Sequence, residues 1–152
     1  MINGINYGIK RASASDVEEH LLACNHQFIP PLSDKVDINA YANKIYDKAV
    51  TFEAWNENKL IGLIAIYFNN PEQFGFITNV SVDPKWTGKG LAAALLKNCL
   101  EYTVNQKFNT VSLEVNENNK KAIGLYAKFG FEKESQKDDS LIMKWKNKQN
   151  TE

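Results

Sequence analysis

Apolar residues change their spacing repeatedly along the chain, and each change of period marks an element. Ile5, Tyr7 and Ile9 alternate with polar neighbours, so Ile5 to Arg11 is predicted as a short strand. Ser15-Asp16-Val17-Glu18 has the form of a capping box and opens a predicted helix with Val17, Leu21, Cys24 and Phe28 on one face. Pro30-Pro31 ends it. Ile38, Tyr41, Ala42, Ile45 and Ala49 then recur at helical spacing in a second helix that starts near Asp37.

Val50 to Trp55 and Leu60 to Phe68 are strand-like runs on either side of the polar turn Asn56-Glu57-Asn58-Lys59, which predicts a hairpin. A second polar turn, Asn69-Asn70-Pro71-Glu72, leads into Gly75 to Val82 and extends the hairpin to an antiparallel meander. Asp83-Pro84 closes that strand. Beyond it, Leu91, Leu95, Leu96, Cys99 and Leu100 form the buried stripe of a long helix from Gly88. A strand at Val111 to Val115, a helix at Lys120 to Phe129 and a strand at Leu141 to Trp145 follow, with Phe131 to Lys133 as an optional short strand. The order βααβββαβαβ predicts an α/β fold, a mixed sheet with helices on its faces. No internal repeat or composition break divides the chain, so residues 1–146 read as one domain and 147–152 as a polar tail.

A length of 152 residues suits one core rather than two. The apolar fraction of 43% and charged fraction of 24% are those of a globular domain, which excludes the disordered and fibrous classes. Eighteen basic side chains balance eighteen acidic ones, so no net field draws the chain to nucleic acid or to an acidic membrane surface. Arg11 is the only arginine, and any phosphate site must therefore rest on backbone amides or lysine. Cys24 and Cys99 lie in apolar helical stretches at no metal-ligand spacing. They are expected as reduced core residues of a cytoplasmic protein, with no metal site. Met1 to Lys10 lacks the apolar segment of a signal peptide, and the longest apolar run, Leu63 to Phe68, is too short to cross a bilayer.

The segment that carries chemistry runs from Val80 to Ala92, where a strand turns through Thr87-Gly88-Lys89-Gly90 directly into an apolar helix. Glycines let a ligand approach the backbone, and the first amides of a helix are free and lie at the positive end of its dipole. Such an entry can hold a pyrophosphate without arginine. The spacing matches neither a P-loop nor a dinucleotide fingerprint, and taken alone it is equally an ordinary glycine-rich helix entry.

Val82, Pro84, Gly88, Gly90, Leu91 and Ala92 fit the acetyl-CoA motif V-x-P-x-x-Q/R-G-x-G-I/L-G/A. Asn119, Ala122, Ile123, Leu125, Tyr126, Gly130 and Phe131 fit the later pattern N-x-x-A-I/V-x-L-Y-x-x-x-G-F, in the same order and at the expected separation. On these residues the chain resembles the GCN5-related N-acetyltransferases (GNAT). The resemblance extends in element order from about Ile5 to Lys146 and is motif-specific from Val80 to Phe131. One departure is Thr87, which stands where the family carries glutamine or arginine; its hydroxyl can still meet a phosphate, with a weaker grip expected.

The resemblance implies a mostly antiparallel sheet of six to seven strands, flanked by about four helices and splayed at the acetyl-CoA site. It implies transfer of an acetyl group from acetyl-CoA to a primary amine, on a small molecule or a protein N-terminus, by direct attack and without a metal. Val80, Ser81 and Val82 would pair with the pantetheine arm like an added strand. Thr87, Gly88, Lys89, Gly90, Leu91 and Ala92 would hold the pyrophosphate, with Lys89 either reaching an outer phosphate or simply solvated. Asn119 would bond the cofactor, cap the last helix, or do both.

Tyr126 matches the family tyrosine beside the thioester sulfur, where it protonates the departing thiolate; its other reading is an apolar anchor. A free alkyl amine is mostly protonated at pH 7, so a base is needed. Glu114, in Leu113-Glu114-Val115, resembles a placement in ribosomal-protein alanine acetyltransferases and is the expected base, although strand alternation also fits a solvated carboxylate. His20 and His26 precede every cofactor element and are expected to stand outside catalysis. Tyr67, Phe76 and Phe28-Ile29-Pro30-Pro31 are placed to shape the amine pocket. The second functional reading is a CoA-binding regulatory or interaction domain that has lost transfer. Neither nucleic acid nor membrane is an expected partner, and a homodimer is compatible with the sequence.

Overall fold

The computed structural model describes residues 4–150. In chain order its elements are β1 (Ile5–Ile9), α1 (Ala14–Cys24), α2 (Ile38–Lys48), β2 (Val50–Asn56), β3 (Lys59–Asn69), β4 (Phe74–Val82), α3 (Leu91–Asn105), β5 (Thr110–Asn116), α4 (Lys120–Lys128), β6 (Glu132–Lys137) and β7 (Ser140–Lys146). The strands form one sheet in the order β1-β2-β3-β4-β5-β7-β6. Every neighbouring pair is antiparallel except β4 with β5. A parallel pair needs a crossover connection, and α3 supplies it.

β3 is buried on both faces, which is why Leu60 to Phe68 reads as a continuous apolar run rather than an alternating one. Leu63 and Ala65 pack under α1 and α2 with Val17, Leu21, Ala42 and Ile45. Ile64 and Ile66 pack on the opposite face under α3 with Leu91, Leu95, Leu96 and Cys99. Two cores, one on each side of the sheet, therefore fix where α1–α2 and α3–α4 stand.

The capping box of α1 lies two residues ahead of the predicted one. Ser13 Oγ accepts from the Asp16 amide at 3.0 Å, and the Asp16 carboxylate accepts from the Ser13 amide at 2.9 Å. The cause lies outside the helix. Glu53, fully buried in β2, accepts from the backbone amides of Arg11 and Ala12 and from the side chains of Thr51 and Trp55. These bonds to a charged acceptor tie down the chain just before Ser13 and fix where it turns helical. Phe28 falls beyond the helix, in the connection to α2.

The last two strands differ from the sequence reading in extent. β6 covers Glu132–Lys137 and is exposed at every position, so it has no apolar period to detect. It exists because it pairs with β7, and its lysines protect an edge that would otherwise invite further pairing. Asn147, the first residue of the expected tail, is buried: its amide donates to the carbonyl of Asn109 at 2.8 Å and its side chain to that of Phe108 at 2.9 Å.

Candidate active site

The sheet opens at one place. β4 pairs with β5 only from Phe74 opposite Thr110 to Ile77 opposite Leu113. Beyond Ile77, β4 continues with β3 as far as Val82 opposite Gly62, while β5 continues with β7. Thr78 is an extra residue in the β3–β4 ladder, because Ile66 faces Ile77 and Ala65 faces Asn79. Such a bulge bends and twists its strand. Here it swings β4 away from β5, and Tyr41 of α2 donates to the Thr78 carbonyl at 2.8 Å, holding the bend. The β5-facing edge of Asn79 to Val82 is left without a strand partner, along a cleft of about 960 Å³.

At one end of the cleft, Asp83 organises the turn after β4. Its amide donates to the Ile61 carbonyl at 2.8 Å, its carboxylate accepts from the Lys85 amide at 2.9 Å, and Lys59 Nζ lies 3.5 Å away. Gly88 and Gly90 follow with φ of +77° and +80°, in the left-handed region where a side chain is strained. A Cβ built on either would meet no atom within 4 Å, so both positions border open space. Ser13, Asp37 and Asn119 cap α1, α2 and α4 with their side chains, whereas α3 begins at Gly90 with no side-chain cap. The first amides of α3 thus reach the cleft without a side-chain acceptor. An anionic ligand such as a pyrophosphate fits this donor set.

The expected cofactor residues gather here, with one exception. Val80, Ser81, Val82, Thr87, Gly88, Gly90, Leu91, Ala92 and Asn119 all line the cleft, while Lys89 is exposed and outside the lining. Thr87 Oγ donates to the Pro84 carbonyl at 3.2 Å, so its hydroxyl is used within its own turn. Asn119 accepts from the Ala122 amide at 3.3 Å as the cap of α4.

Tyr126 and Glu114 line the same cleft from α4 and β5. Tyr126 is buried against the core, with the Phe131 ring centroid 5.9 Å from its own. Burial pushes its phenol up to about 12, so it stays protonated at neutral pH and can serve as a proton donor. Glu114 is exposed, and its carboxylate accepts from the Ser140 hydroxyl of β7.

One polar network was not foreseen. His20 of α1 is 2% exposed and its Nε2 lies 2.9 Å from Ser81 Oγ, which in turn donates to Asn79 Oδ1 at 2.8 Å. The hydroxyl of Ser81 is therefore engaged away from the gap, and this residue offers the gap its backbone. Burial lowers the His20 pKa to about 4, so the ring is neutral at pH 7. Cys24 Sγ lies 3.6 Å from His20 Nε2, and burial pushes its thiol up to about 12, which keeps it protonated. A lone histidine on a helix face carries no sequence signal for this role, because its partner lies 61 residues away.

Of the residues expected to shape the amine pocket, Phe28, Ile29, Pro30 and Phe76 line the cleft, while Tyr67 and Pro31 do not. Tyr67 packs instead with the Lys44 ammonium 5.3 Å from its ring centroid.

Among known proteins, the chain is 32% identical over 94 residues to the spore coat polysaccharide biosynthesis protein SpsD of Bacillus subtilis (strain 168), covering 53% of this chain and 32% of that protein. The chain spans about a third of the length of the curated relatives it matches. The fold is that of the ribosomal-protein-S18-alanine N-acetyltransferase from Escherichia coli, with a TM-score of 0.76 at 19% identity over 93% of this chain and 94% of that one. PaiA N-acetyltransferase from Thermoplasma acidophilum, solved in complex with coenzyme A, superposes with a TM-score of 0.71 at 17% identity over 93% and 99% of the two chains. The model of the acetyltransferase (GNAT) family matches residues 15–131, a span holding both the split in the sheet and the glycine entrance of α3, and the chain belongs to that family.

Proposed function

We propose that this protein is an acetyl-CoA-dependent N-acetyltransferase acting on a primary amine. The observation that carries the reading is the unpaired edge of β4 meeting the side-chain-free entrance of α3 in one cleft with Tyr126 and Glu114. Acetyl-CoA supplies the activated acyl group. The backbone of Val80, Ser81 and Val82 takes the amides of the pantetheine arm, and the amides from Gly88 to Ala92 take the pyrophosphate. Thr87 contributes through its backbone, Lys89 reaches an outer phosphate from the rim, and Asn119 adds a polar contact where α4 begins. The backbone at Val80 polarises the thioester carbonyl. Glu114 accepts the proton of the amine, directly or through water, and Tyr126 gives its proton to the departing thiolate. Reduced Cys24 and Cys99 suit the cytoplasm. The scheme is complete in one chain, and a homodimer is compatible with it.

Steady-state acetyl transfer tests the assignment: Tyr126→Phe and Glu114→Gln are each expected to lose kcat/KM while acetyl-CoA binding, read by calorimetry, is retained. Unchanged kcat/KM in both variants removes the two catalytic roles. The engagement of the Thr87 hydroxyl within its own turn favours a second reading, a CoA-binding module without transfer. That reading predicts acetyl-CoA binding with no thiol release across any panel of amines.

A further inference from the structure

We propose that the acceptor is a primary monoamine borne on an apolar group, aryl or branched alkyl; this rests on the acetyltransferase reading of the cleft. Sheet register supplies the first argument. Phe76 of β4 is opposite Ser112 of β5, so the two project from the same face, and Glu114 follows two residues later on that face. An aromatic ring and the expected base thus share one face of the sheet, the side that α3 and α4 do not cover. The connection between α1 and α2 forms the facing wall with Phe28, Ile29, Pro30 and Val36. Ile29 is 47% exposed, a large apolar side chain held in water at the lip of the cleft.

The charges supply the second argument, because among the described lining residues the carboxylates stand at β5 and just ahead of β7 and none stands in the α1–α2 connection. Glu114 and Asp139 lie on the β5–β7 side; among the described lining residues the lysines are Lys35, in the α1–α2 connection, and Lys121, at the start of α4. An ammonium entering with its carrier over Phe76 meets carboxylates at one end and carbon at the other. A second ammonium, as in a polyamine, would be stripped of water against carbon and face Lys35 with no anion to meet it. On β4, a polyhydroxylated carrier, as in an amino sugar, would find the Thr78 hydroxyl already bonded to Tyr41 and the Asn79 side-chain oxygen to Ser81. An aryl or branched alkyl carrier loses nothing on leaving water and covers the exposed Ile29.

The test compares kcat/KM at saturating acetyl-CoA for 2-phenylethylamine, isoamylamine, phenylalaninamide and a Phe-initiated tripeptide against spermidine and glucosamine. The apolar amines are expected to lead by at least about tenfold, the scale on which an apolar pocket discriminates. The ratio of tripeptide to phenylalaninamide distinguishes a polymer-borne amine from a free one, and both carry the proposed chemistry. Ile29→Asp is expected to raise KM for 2-phenylethylamine about tenfold with KM for acetyl-CoA unchanged. Preference for spermidine or glucosamine, an indifferent Ile29→Asp variant, or acetyl-CoA binding without transfer to any apolar amine overturns the inference. If calorimetry detects no acetyl-CoA binding at all, the acetyltransferase reading fails and this inference fails with it.

Discussion

The two halves of the cleft are built in different ways. The half proposed for the nucleotide is made almost entirely of backbone: the free edge of β4, two glycines at positive φ, and the leading amides of a helix without a side-chain cap. The half proposed for the amine is made of side chains, brought from the α1–α2 connection, β4, β5 and β7. Backbone recognition needs only that a short stretch adopt a given conformation, so it is written in a contiguous segment. Side-chain recognition needs distant segments to meet, so its specificity lies in packing. The first half suits a ligand shared by a whole family, and the second suits a ligand particular to this chain.

The largest expected effect falls where the halves meet. Tyr126→Phe removes the buried phenol and should lower kcat by about 100- to 10,000-fold with every acceptor, while calorimetry shows acetyl-CoA still bound. Next is the pH dependence of stability through His20, which lies beneath the junction. Above its unfolded value of 6.5 the ring is neutral in both states. As pH falls, the unfolded chain takes up the proton first, so stability is lost between 6.5 and about 4. The loss is on the order of 3 kcal/mol, to be read from denaturant midpoints, and His20→Gln should flatten this part of the profile.

Gly90→Val tests the backbone half alone. A β-branched residue at φ +80° introduces roughly 1–3 kcal/mol of strain and places methyl groups where the ligand would approach. Calorimetry should show acetyl-CoA affinity reduced by about tenfold or more, with relative preference among amines unchanged; an altered preference would mean that the halves are not independent. The smallest effect is expected from Ser140→Ala, which frees the Glu114 carboxylate from its hydroxyl partner. It should change kcat/KM by about fivefold or less, the scale of one hydrogen bond, without altering acetyl-CoA binding.

Elements with a clear period were legible. α2 and α3, and the strands of the meander, follow from apolar spacing and polar turns, and α2 starts at the Asp37 cap where its stripe begins. β6 was only partly legible because its six residues are all exposed and its strand geometry comes from β7. The predicted start of α1 at Ser15 differs from the observed cap at Ser13 because Glu53, 40 positions beyond Ser13 in the chain, ties down the residues just before it. The same difference holds in the site: Gly88 and Gly90 can be read in place, whereas His20 against Ser81 and Phe76 on one face with Glu114 depend on register and helix docking.

The sequence by itself determined the backbone half of this protein: glycines that take positive φ without strain, a helix entry with no capping side chain, and apolar periods that set strand and helix. Those are local consequences of sterics and hydrogen bonding, complete within a few residues. Tertiary structure decided the rest. The bulge at Thr78, held by Tyr41 from α2, is what opens β4 from β5. Sheet register then sets Phe76 on one face with Glu114, and the α1–α2 connection closes an apolar wall opposite, because contacts between residues far apart in the chain arise only when both cores have packed.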